Sequence, residues 1–295
     1  LMDLTYNDYF TTTGHGEDWR VHVKQCTEDH ASYYEESIRA AKLVEKTSLK
    51  PIVLMFSGGI DGEWMINIFK DAQVEFKVAI ISYGKWNEHD AKYAFDYCKS
   101  HGIVPEVIEI DLEKFIDSGK IYEIAREAKC CVYQFPGVMY GMTKIDGTIV
   151  MANGEPQVNL MPDGTWHWEE TERINSYMNW YTSQGIDGTP DFMRYTPEQT
   201  VSFLNEPLVK QLINGELENQ WHTVSIKHAL FNQHFNQVER PKFTGWERME
   251  RSPFFEDCKV IQNFTYMREN YNGIFTLEYN KLCQLLTKWK REIRW

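Results

Sequence analysis

Two hydrophobic patterns alternate along the first half of the chain. Ile52 to Phe56 is an unbroken apolar run, which is typical of a strand buried on both faces of a sheet. Between residues 28 and 46, apolar side chains recur at helical spacing, and Thr27 is the predicted N-cap of that helix. The same reasoning predicts strands over 76–82, 104–110 and 148–152, and helices over 63–71, 88–101 and 112–129, the last interrupted near residues 118–119.

Strands that alternate with helices predict a parallel sheet covered on both faces. We therefore expect an α/β fold with a parallel, doubly wound sheet, which forms a domain over 51–160. An N-terminal arm and helix are expected over 1–50, and a mostly helical C-terminal region over 161–295. In that last region, helices are predicted over 197–204, 206–214, 222–234 and 276–292.

Composition and charge exclude several classes of protein. Hydrophobic residues make up 42% of the chain and charged residues 25%, which indicates a globular protein rather than a disordered one. The longest apolar run is far shorter than the ~20 residues of a membrane span, so no membrane association is expected. The net charge of -12 argues against broad nucleic-acid binding, because a phosphate backbone requires basic surface. A single small anion in a local pocket remains compatible with this charge.

The cysteines and the N-terminal residues favour a cytoplasmic location. The first ten residues include acids but no basic segment, so we expect no signal peptide. The six cysteines show no C-x-x-C spacing and fit reduced thiols. For the adjacent pair Cys130-Cys131 we consider a sulfur carrier, but we favour buried structural thiols. The nine histidines form no metal-binding pattern.

The turn after the first predicted strand carries the strongest chemical signal. Its sequence is Ser57-Gly58-Gly59-Ile60-Asp61-Gly62, and a helix follows. Paired glycines let the backbone approach an anion closely, and the helix N-terminus offers free N–H groups. These features predict a phosphate cradle. The alternative is an ordinary tight turn with Asp61 as the helix cap. The loop is neither a Walker A motif nor a G-x-G-x-x-G motif.

The loop resembles that of the PP-loop ATP pyrophosphatases, also called adenine nucleotide α-hydrolase-like proteins. Their fingerprint is S-G-G-x-D-S, which matches residues 57–61, whereas Gly62 stands where the family usually has Ser. Glu63 follows at once and adds a negative charge beside the expected phosphates. The strand–helix–strand order up to residue 110 and the later segment 151–155 are also similar. The resemblance covers roughly residues 50–160.

The resemblance implies a reaction. Members of this family bind ATP with Mg²⁺, cleave it between the α and β phosphates, and transfer AMP to a substrate oxygen before a nucleophile displaces it. We therefore expect an ATP-dependent adenylating enzyme that activates a small-molecule substrate for attack by a nitrogen or sulfur nucleophile. The alternatives are a non-catalytic nucleotide-binding protein on the same scaffold and a related fold that binds no nucleotide.

The resemblance also implies roles for individual residues. Asp61 would cap the helix and orient a metal-bound water, and Glu155 is the favoured Mg²⁺ ligand. Lys242 is the favoured cation near the α-phosphate, with a solvated basic pair as the alternative reading of that segment. The residues expected to hold the pyrophosphate part of ATP are Ser57, Gly58, Gly59, Ile60, Asp61 and Gly62. The residues expected to contact adenine are Ile81, Ser82 and Tyr83. The other candidate cations are Lys85, Lys144 and Arg240.

Two features of the C-terminal half have more than one interpretation. The segment from Trp166 to Glu170, beside Gly164, is interpreted either as a mobile substrate lid or as a structural corner or oligomer contact. The high aromatic content of this half leaves a homodimer open.

Overall fold

The computed structural model describes residues 10–23, 26, 29–217, 223–237 and 240–286. Its strands are β1 (Phe10–Thr13), β2 (Arg20–Val23), β3 (Ile52–Met55), β4 (Lys77–Ser82), β5 (Glu106–Glu109), β6 (Thr148–Val150), β7 (Gln157–Leu160), β8 (Trp166–Thr171), β9 (Gly188–Thr189) and β10 (Ile274–Glu278). Its α-helices are α1 (Tyr33–Thr47), α2 (Ile60–Asp71), α3 (Glu88–Ser100), α4 (Leu112–Asp117), α5 (Lys120–Glu127), α6 (Phe135–Met142), α7 (Glu172–Gln184), α8 (Pro197–Leu204), α9 (Pro207–Ile213), α10 (Thr223–Asn232), α11 (Glu247–Glu250), α12 (Pro253–Asp257), α13 (Val260–Asn263), α14 (Thr265–Asn270) and α15 (Tyr279–Leu286).

Five parallel strands form the central sheet in the spatial order β5-β4-β3-β6-β9. The first strand along the chain, β3, lies in the middle and pairs with β4 on one side and β6 on the other. The register of the second pair places Val53 opposite Ile149. The connections run outward in both directions from β3, so the order reverses between β3 and β6. In open α/β sheets, this reversal opens a crevice at the carboxyl ends of the two strands.

Helices cover both faces of the sheet and bury its central strands. Leu54 and Val150 pack on one face with side chains from α1, α2 and α8. Val53 and Ile149 pack on the other face with side chains from α4 to α7. This burial on two faces explains the continuous apolar run of the central strand. The predicted fold class, a parallel doubly wound α/β sheet, is confirmed.

Two smaller sheets lie outside the central one. The arm forms an antiparallel hairpin of β1 and β2, with Phe10 opposite Val23. The second sheet has the order β10-β8-β7 and is antiparallel throughout. Trp168 of its middle strand is buried in the same hydrophobic cluster as Leu54 of the central sheet. The arm and the C-terminal region therefore share a core with the parallel sheet.

Most predicted elements of the first half are confirmed, including the break between α4 and α5 at Gly119, which has a left-handed φ of 75°. The first helix begins later than expected, at Tyr33. Its N-cap is Ser32, which forms a capping box with Glu35, whereas Thr27 lies outside the described residues. The reciprocal hydrogen bonds of the box fix the start of the helix at this point.

The C-terminal half differs more from the prediction. The central sheet does not end near residue 160, because β9 adds a fifth strand. That strand has only two residues and gives no periodic signal. Strand β10 occupies the start of the helix predicted over 276–292, and that helix begins at Tyr279. Helix α8 begins and ends at the predicted residues. Its N-cap is Thr196, whose side chain accepts a hydrogen bond from the Gln199 N–H.

Candidate functional site

The glycine loop joins β3 to α2 and packs tightly against helix α3. Gly58 has a φ of 88°, and a Cβ atom there would lie 2.7 Å from the backbone nitrogen of Ala94. Only glycine tolerates both the positive φ and this approach. Gly59 is the N-cap of α2, with φ -76° and ψ 160°, and forms no side-chain cap. The expectation that Asp61 caps the helix is therefore wrong, because Asp61 lies inside its first turn.

A cavity of about 270 Å³ opens where the carboxyl ends of β3, β4 and β6 meet. The free N–H groups at the start of α2 lie at this cavity, and they favour an anion. The predicted residues that line it are Ser57, Gly59, Asp61, Gly62, Ile81 and Tyr83. Gly58 and Ile60 belong to the same loop, and Ser82 lies at the end of β4 outside the lining. The sheet therefore brings the two predicted subsites, for phosphate and for adenine, to a single cavity.

A buried lysine connects the two predicted metal ligands. The Nζ atom of Lys227, on α10, lies 2.9 Å from the Asp61 carboxylate and 3.2 Å from Glu155 Oε1. The lysine side chain is only 6% exposed. Burial lowers the pKa of Lys227, but the negative charges of Asp61 and Glu155 outweigh it and raise that pKa above its usual value. The site therefore holds a permanent positive charge between two carboxylates.

Lys227 is the residue that the sequence interpretation missed. It lies on the face of α10 that also carries Ile226, Leu230 and Phe231, all of them buried. A single lysine among core-facing helix positions lowers the stability of the fold unless its ammonium group is paired. That pattern was the available signal, and it points to a functional or structural partner without identifying it.

The residues present fit a magnesium ion. Mg²⁺ is usually held by one or two carboxylates together with waters and substrate phosphates. Asp61, in the glycine loop, and Glu155, in the loop after β6, are two such carboxylates. Among the described residues, no group of three or more His, Cys, Asp or Glu side chains converges on one point. Asp61 and Glu155 are therefore the side chains that would hold Mg²⁺ together with waters and a phosphate.

Arg240 compensates the negative charge of Glu63. Its guanidinium forms an ion pair with the Glu63 carboxylate and donates a hydrogen bond to the Gly58 carbonyl oxygen. The Glu63 side chain is 3% exposed, so its charge is buried and compensated by the arginine. The negative charge expected beside the phosphates is therefore neutralised, and Arg240 holds the loop instead of lying free for a phosphate.

The glycine at position 62 fits the packing of this chain. A Cβ atom on Gly62 would lie 2.7 Å from Cδ2 of the Phe56 ring. Phe56 is buried and belongs to the core of the sheet. A serine at position 62 would therefore collide with that ring. The Gly62 N–H remains at the cavity, so the loop loses one hydroxyl donor while its backbone donors are retained.

Asn87, at the start of helix α3, contacts the part of the cavity where adenine is predicted to bind. Its side-chain amide donates to the Ile81 carbonyl oxygen at 3.0 Å and accepts from the Tyr83 N–H at 2.7 Å. These are two main-chain groups expected to meet adenine, so both already have a partner. The Tyr83 ring lines the cavity, and burial raises the pKa of its hydroxyl well above the usual value. Its contact with a base stays a prediction.

Lys85, Lys144 and Lys242, the remaining candidate cations, are not among the residues that line the cavity. Lys85 is exposed and pairs with Glu113 at 3.1 Å. Lys144 is exposed above the Tyr140 ring. Lys242 is also exposed. Burial raises the pKa of Asp61, and the charges of Lys227 and, to a smaller extent, Lys242 oppose this rise. The catalytic role of Lys242 stays a prediction, whereas Lys227 contacts both predicted metal ligands.

A buried ion cluster supports the acidic loop after β6. The Arg194 guanidinium bonds Glu170, and lies 2.8 Å from Asp191 Oδ2. Gly154 has a φ of 84°, and a Cβ atom there would lie 2.8 Å from Arg194 Cγ. The loop that carries Glu155 therefore rests directly on the arginine. This packing explains why a glycine precedes the acid.

The cluster predicts a pH dependence of stability. Burial raises the pKa of Glu170 to about 7, with Asp191 and Glu155 adding to the rise and Arg194 opposing it. A carboxyl group whose pKa is higher in the folded state binds more protons there, so stability falls as pH rises from about 4.5 to 7. We expect Glu170→Gln to remove roughly 2 kcal/mol of the loss between pH 5 and 8.

Urea unfolding at pH 5 and pH 8 measures this difference. The matched control is Glu169→Gln, because alternate residues of a strand point to opposite faces. An equal loss of stability in the wild-type chain and in Glu170→Gln would contradict the prediction.

Strand β8 settles the interpretation of the segment from Trp166 to Glu170. The strand is hydrogen-bonded on one side to β7 and on the other to β10. Trp168 and Glu170 are buried. The lid interpretation is therefore wrong, because a central strand cannot open without breaking two ladders. The sequence did not predict this strand, because the buried Glu170 stands at a position where the alternating pattern of a strand calls for an apolar side chain.

Both adjacent cysteines are buried, as favoured from the sequence. Burial raises the pKa of the Cys130 thiol to about 12. A thiol that stays protonated is a poor nucleophile. The geometry therefore supports a structural role for Cys130.

Comparison with known proteins finds a likeness among solved structures only. No protein-family model matches the chain, and no curated protein matches it significantly. Among solved structures, the chain is similar to an NH3-dependent NAD synthetase from Campylobacter jejuni subsp. jejuni NCTC 11168 in complex with the nitrate ion. The identity is 11% and the TM-score 0.32, over 72% of this chain and 99% of that chain. The fold class rests on the strand order of the parallel sheet and not on this likeness.

Within the described residues, every helix falls short of the length and apolar character that a membrane span requires.

Proposed function

We propose that the chain binds ATP at the cavity between β3 and β6 and transfers its adenylyl group to a small-molecule substrate. The observation that carries the proposal is the convergence of loop 57–62 and Glu155 on the buried ammonium of Lys227. The first turn of α2, with Asp61, lines this cavity, and the ammonium of Lys227 links Asp61 to the second carboxylate, Glu155. This combination of donors suits a magnesium-bound polyphosphate.

The proposed step needs no protein nucleophile. A substrate oxygen attacks the α-phosphorus, the bond from that phosphorus to the bridging oxygen breaks, and pyrophosphate leaves with its electron pair. Asp61 and Glu155 would hold Mg²⁺, which screens the charge of the phosphate oxygens when bound. Lys227 and the amides of residues 59–62 would stabilise the negative charge that grows on the leaving pyrophosphate. Arg240 keeps the loop in place through the Gly58 carbonyl.

Exchange of labelled pyrophosphate into ATP tests the proposal. We expect Mg²⁺-dependent exchange once an acceptor is supplied from a panel of carboxylate, amide and carbonyl metabolites. Asp61→Asn should lower the exchange rate more than about tenfold, because the variant loses a charged ligand beside the phosphates. The control is Asp71→Asn, at the exposed end of the same helix. Normal exchange in Asp61→Asn would remove Asp61 from the mechanism.

The second candidate is a non-catalytic nucleotide-binding protein. It is favoured by the position of Lys227, whose ammonium lies between the two carboxylates and already compensates them without a metal. This candidate predicts ATP or AMP binding by calorimetry, with no exchange for any acceptor. Binding without Mg²⁺ at the same affinity as with Mg²⁺ would favour it over the enzyme.

A further inference from the structure

One face of helix α3 spans the cavity from its adenine end to its phosphate loop. Asn87, at the start of the helix, bonds the end of β4. Two turns later, the backbone of Ala94 packs against Gly58 of the phosphate loop. Asp90 and Ala91 lie one turn from either end and line the cavity. Since a helix rises about 1.5 Å per residue, Asp90 lies about 4.5 Å from Asn87 and about 6 Å from Ala94 along the helix axis.

The Asp90 carboxylate is partly buried at this midpoint. Among the residues that the structure describes, none donates a hydrogen bond to it. Its Oδ2 atom faces Gly245, where a Cβ atom would approach to 3.1 Å and where φ is 77°. Burial and the negative charge of Glu247 raise the pKa of Asp90 to about 6, against the effect of His89. A charged acceptor without a donor therefore lies at the wall of the cavity.

The turn opposite Asp90 is fixed in place. Glu247 accepts a hydrogen bond from the Thr244 hydroxyl at 3.0 Å and pairs with His89 Nε2 at 2.8 Å. Thr244 and Gly245 both line the cavity. Because Gly245 has no side chain, the turn can approach the Asp90 carboxylate this closely. The wall thus holds an acceptor between helix α3 and a fixed turn.

We propose that Asp90 accepts hydrogen bonds from the ribose hydroxyls of the bound nucleotide, so that the site selects ribonucleotides over deoxyribonucleotides. This inference rests on the proposed function. In ATP the ribose connects the base to the phosphates, and Asp90 lies between the two subsites along α3. A carboxylate only accepts hydrogen bonds, and its two oxygens match two neighbouring hydroxyl donors. The same negative charge makes a phosphate an unsuitable neighbour.

Calorimetric titration with three nucleotides tests the inference, each with Mg²⁺: ATP, 2′-deoxy-ATP and 3′-deoxy-ATP. Loss of a hydrogen bond to a charged group weakens binding about 10- to 100-fold, so we expect at least one deoxy form to bind the wild-type chain that much more weakly than ATP. In Asp90→Ala, ATP and the deoxy forms should bind with equal affinity. The control Asp96→Ala, an exposed acid on the same helix, should keep the wild-type preference.

The outcomes separate this inference from the proposed function. Equal binding of all three nucleotides to the wild-type chain overturns the ribose contact and leaves the ATP site standing. A preference for ATP that survives in Asp90→Ala also overturns it, because another residue then reads the hydroxyl. Failure of ATP itself to bind overturns the proposed function and the inference together. If Asp90→Ala does not fold, Asp90→Asn replaces it, and we then expect a reduced but measurable preference.

Discussion

Lys227→Met should lower the free energy of unfolding by about 3–5 kcal/mol at neutral pH. The variant keeps an apolar side chain of similar length in α10, so little packing is lost. What changes is charge, because the carboxylates of Asp61 and Glu155 then share a partly buried site without a cation. Removing one partner of a buried ion pair leaves the other charge uncompensated, which is the costly step. Urea unfolding at constant pH measures the loss.

A neutral triple variant provides the matched control. In Lys227→Met, Asp61→Asn and Glu155→Gln combined, no charge remains to be compensated, and we expect most of the lost stability to return. The effects of substitutions within one ion cluster on the free energy of unfolding are not additive, so the recovered stability measures the coupling between these residues. A triple variant as unstable as the sum of its single variants would contradict the geometry of the cluster.

Gly58→Ala should destabilise the protein by about 2–4 kcal/mol and abolish nucleotide binding. An alanine there has a strained positive φ, and its Cβ would press on the α3 backbone instead of on a flexible side chain. The loop must therefore move away from α3, and its N–H groups move with it. Thermal or urea unfolding and ATP titration measure the two effects.

The neighbouring glycine gives a control with a different outcome. Gly59 has an ordinary φ of -76°, and a Cβ atom there would meet nothing closer than the Ser57 hydroxyl oxygen at 3.8 Å. Gly59→Ala should therefore change stability by less than about 1 kcal/mol. It should still weaken ATP binding if phosphates approach the backbone at this point. Equal stability of Gly58→Ala and Gly59→Ala would mean that the loop is not packed as described.

The parallel sheet could be predicted because its signals are local. Ile52 to Phe56 is continuously apolar, since β3 is buried on both faces, and glycines mark the turn that follows. The position of the loop after β6 at the crevice was also predictable, because the carboxyl ends of parallel strands meet at one edge. These inferences need only the periodicity of the chain and the topology of right-handed connections.

The rest of the site depends on long-range packing. Lys227 is 166 residues from Asp61 along the chain, and nothing near either residue indicates the contact. The pairing of Arg240 with Glu63 likewise became visible only in three dimensions. Strand β9 has only two residues, which is too short for a periodic pattern. Strand β8 has a buried acid, Glu170, which interrupts its alternating pattern. Lys242, chosen from its local sequence, is exposed.

The most direct test of the central claim is a crystal structure with Mg²⁺ and an ATP analogue that carries a methylene bridge between the α and β phosphates. We predict that the β and γ phosphates lie within hydrogen-bonding distance of the backbone N–H groups of residues 59–62, with Lys227 beside them. A nucleotide bound away from the loop, or a cavity that stays empty at saturating analogue, would contradict the account.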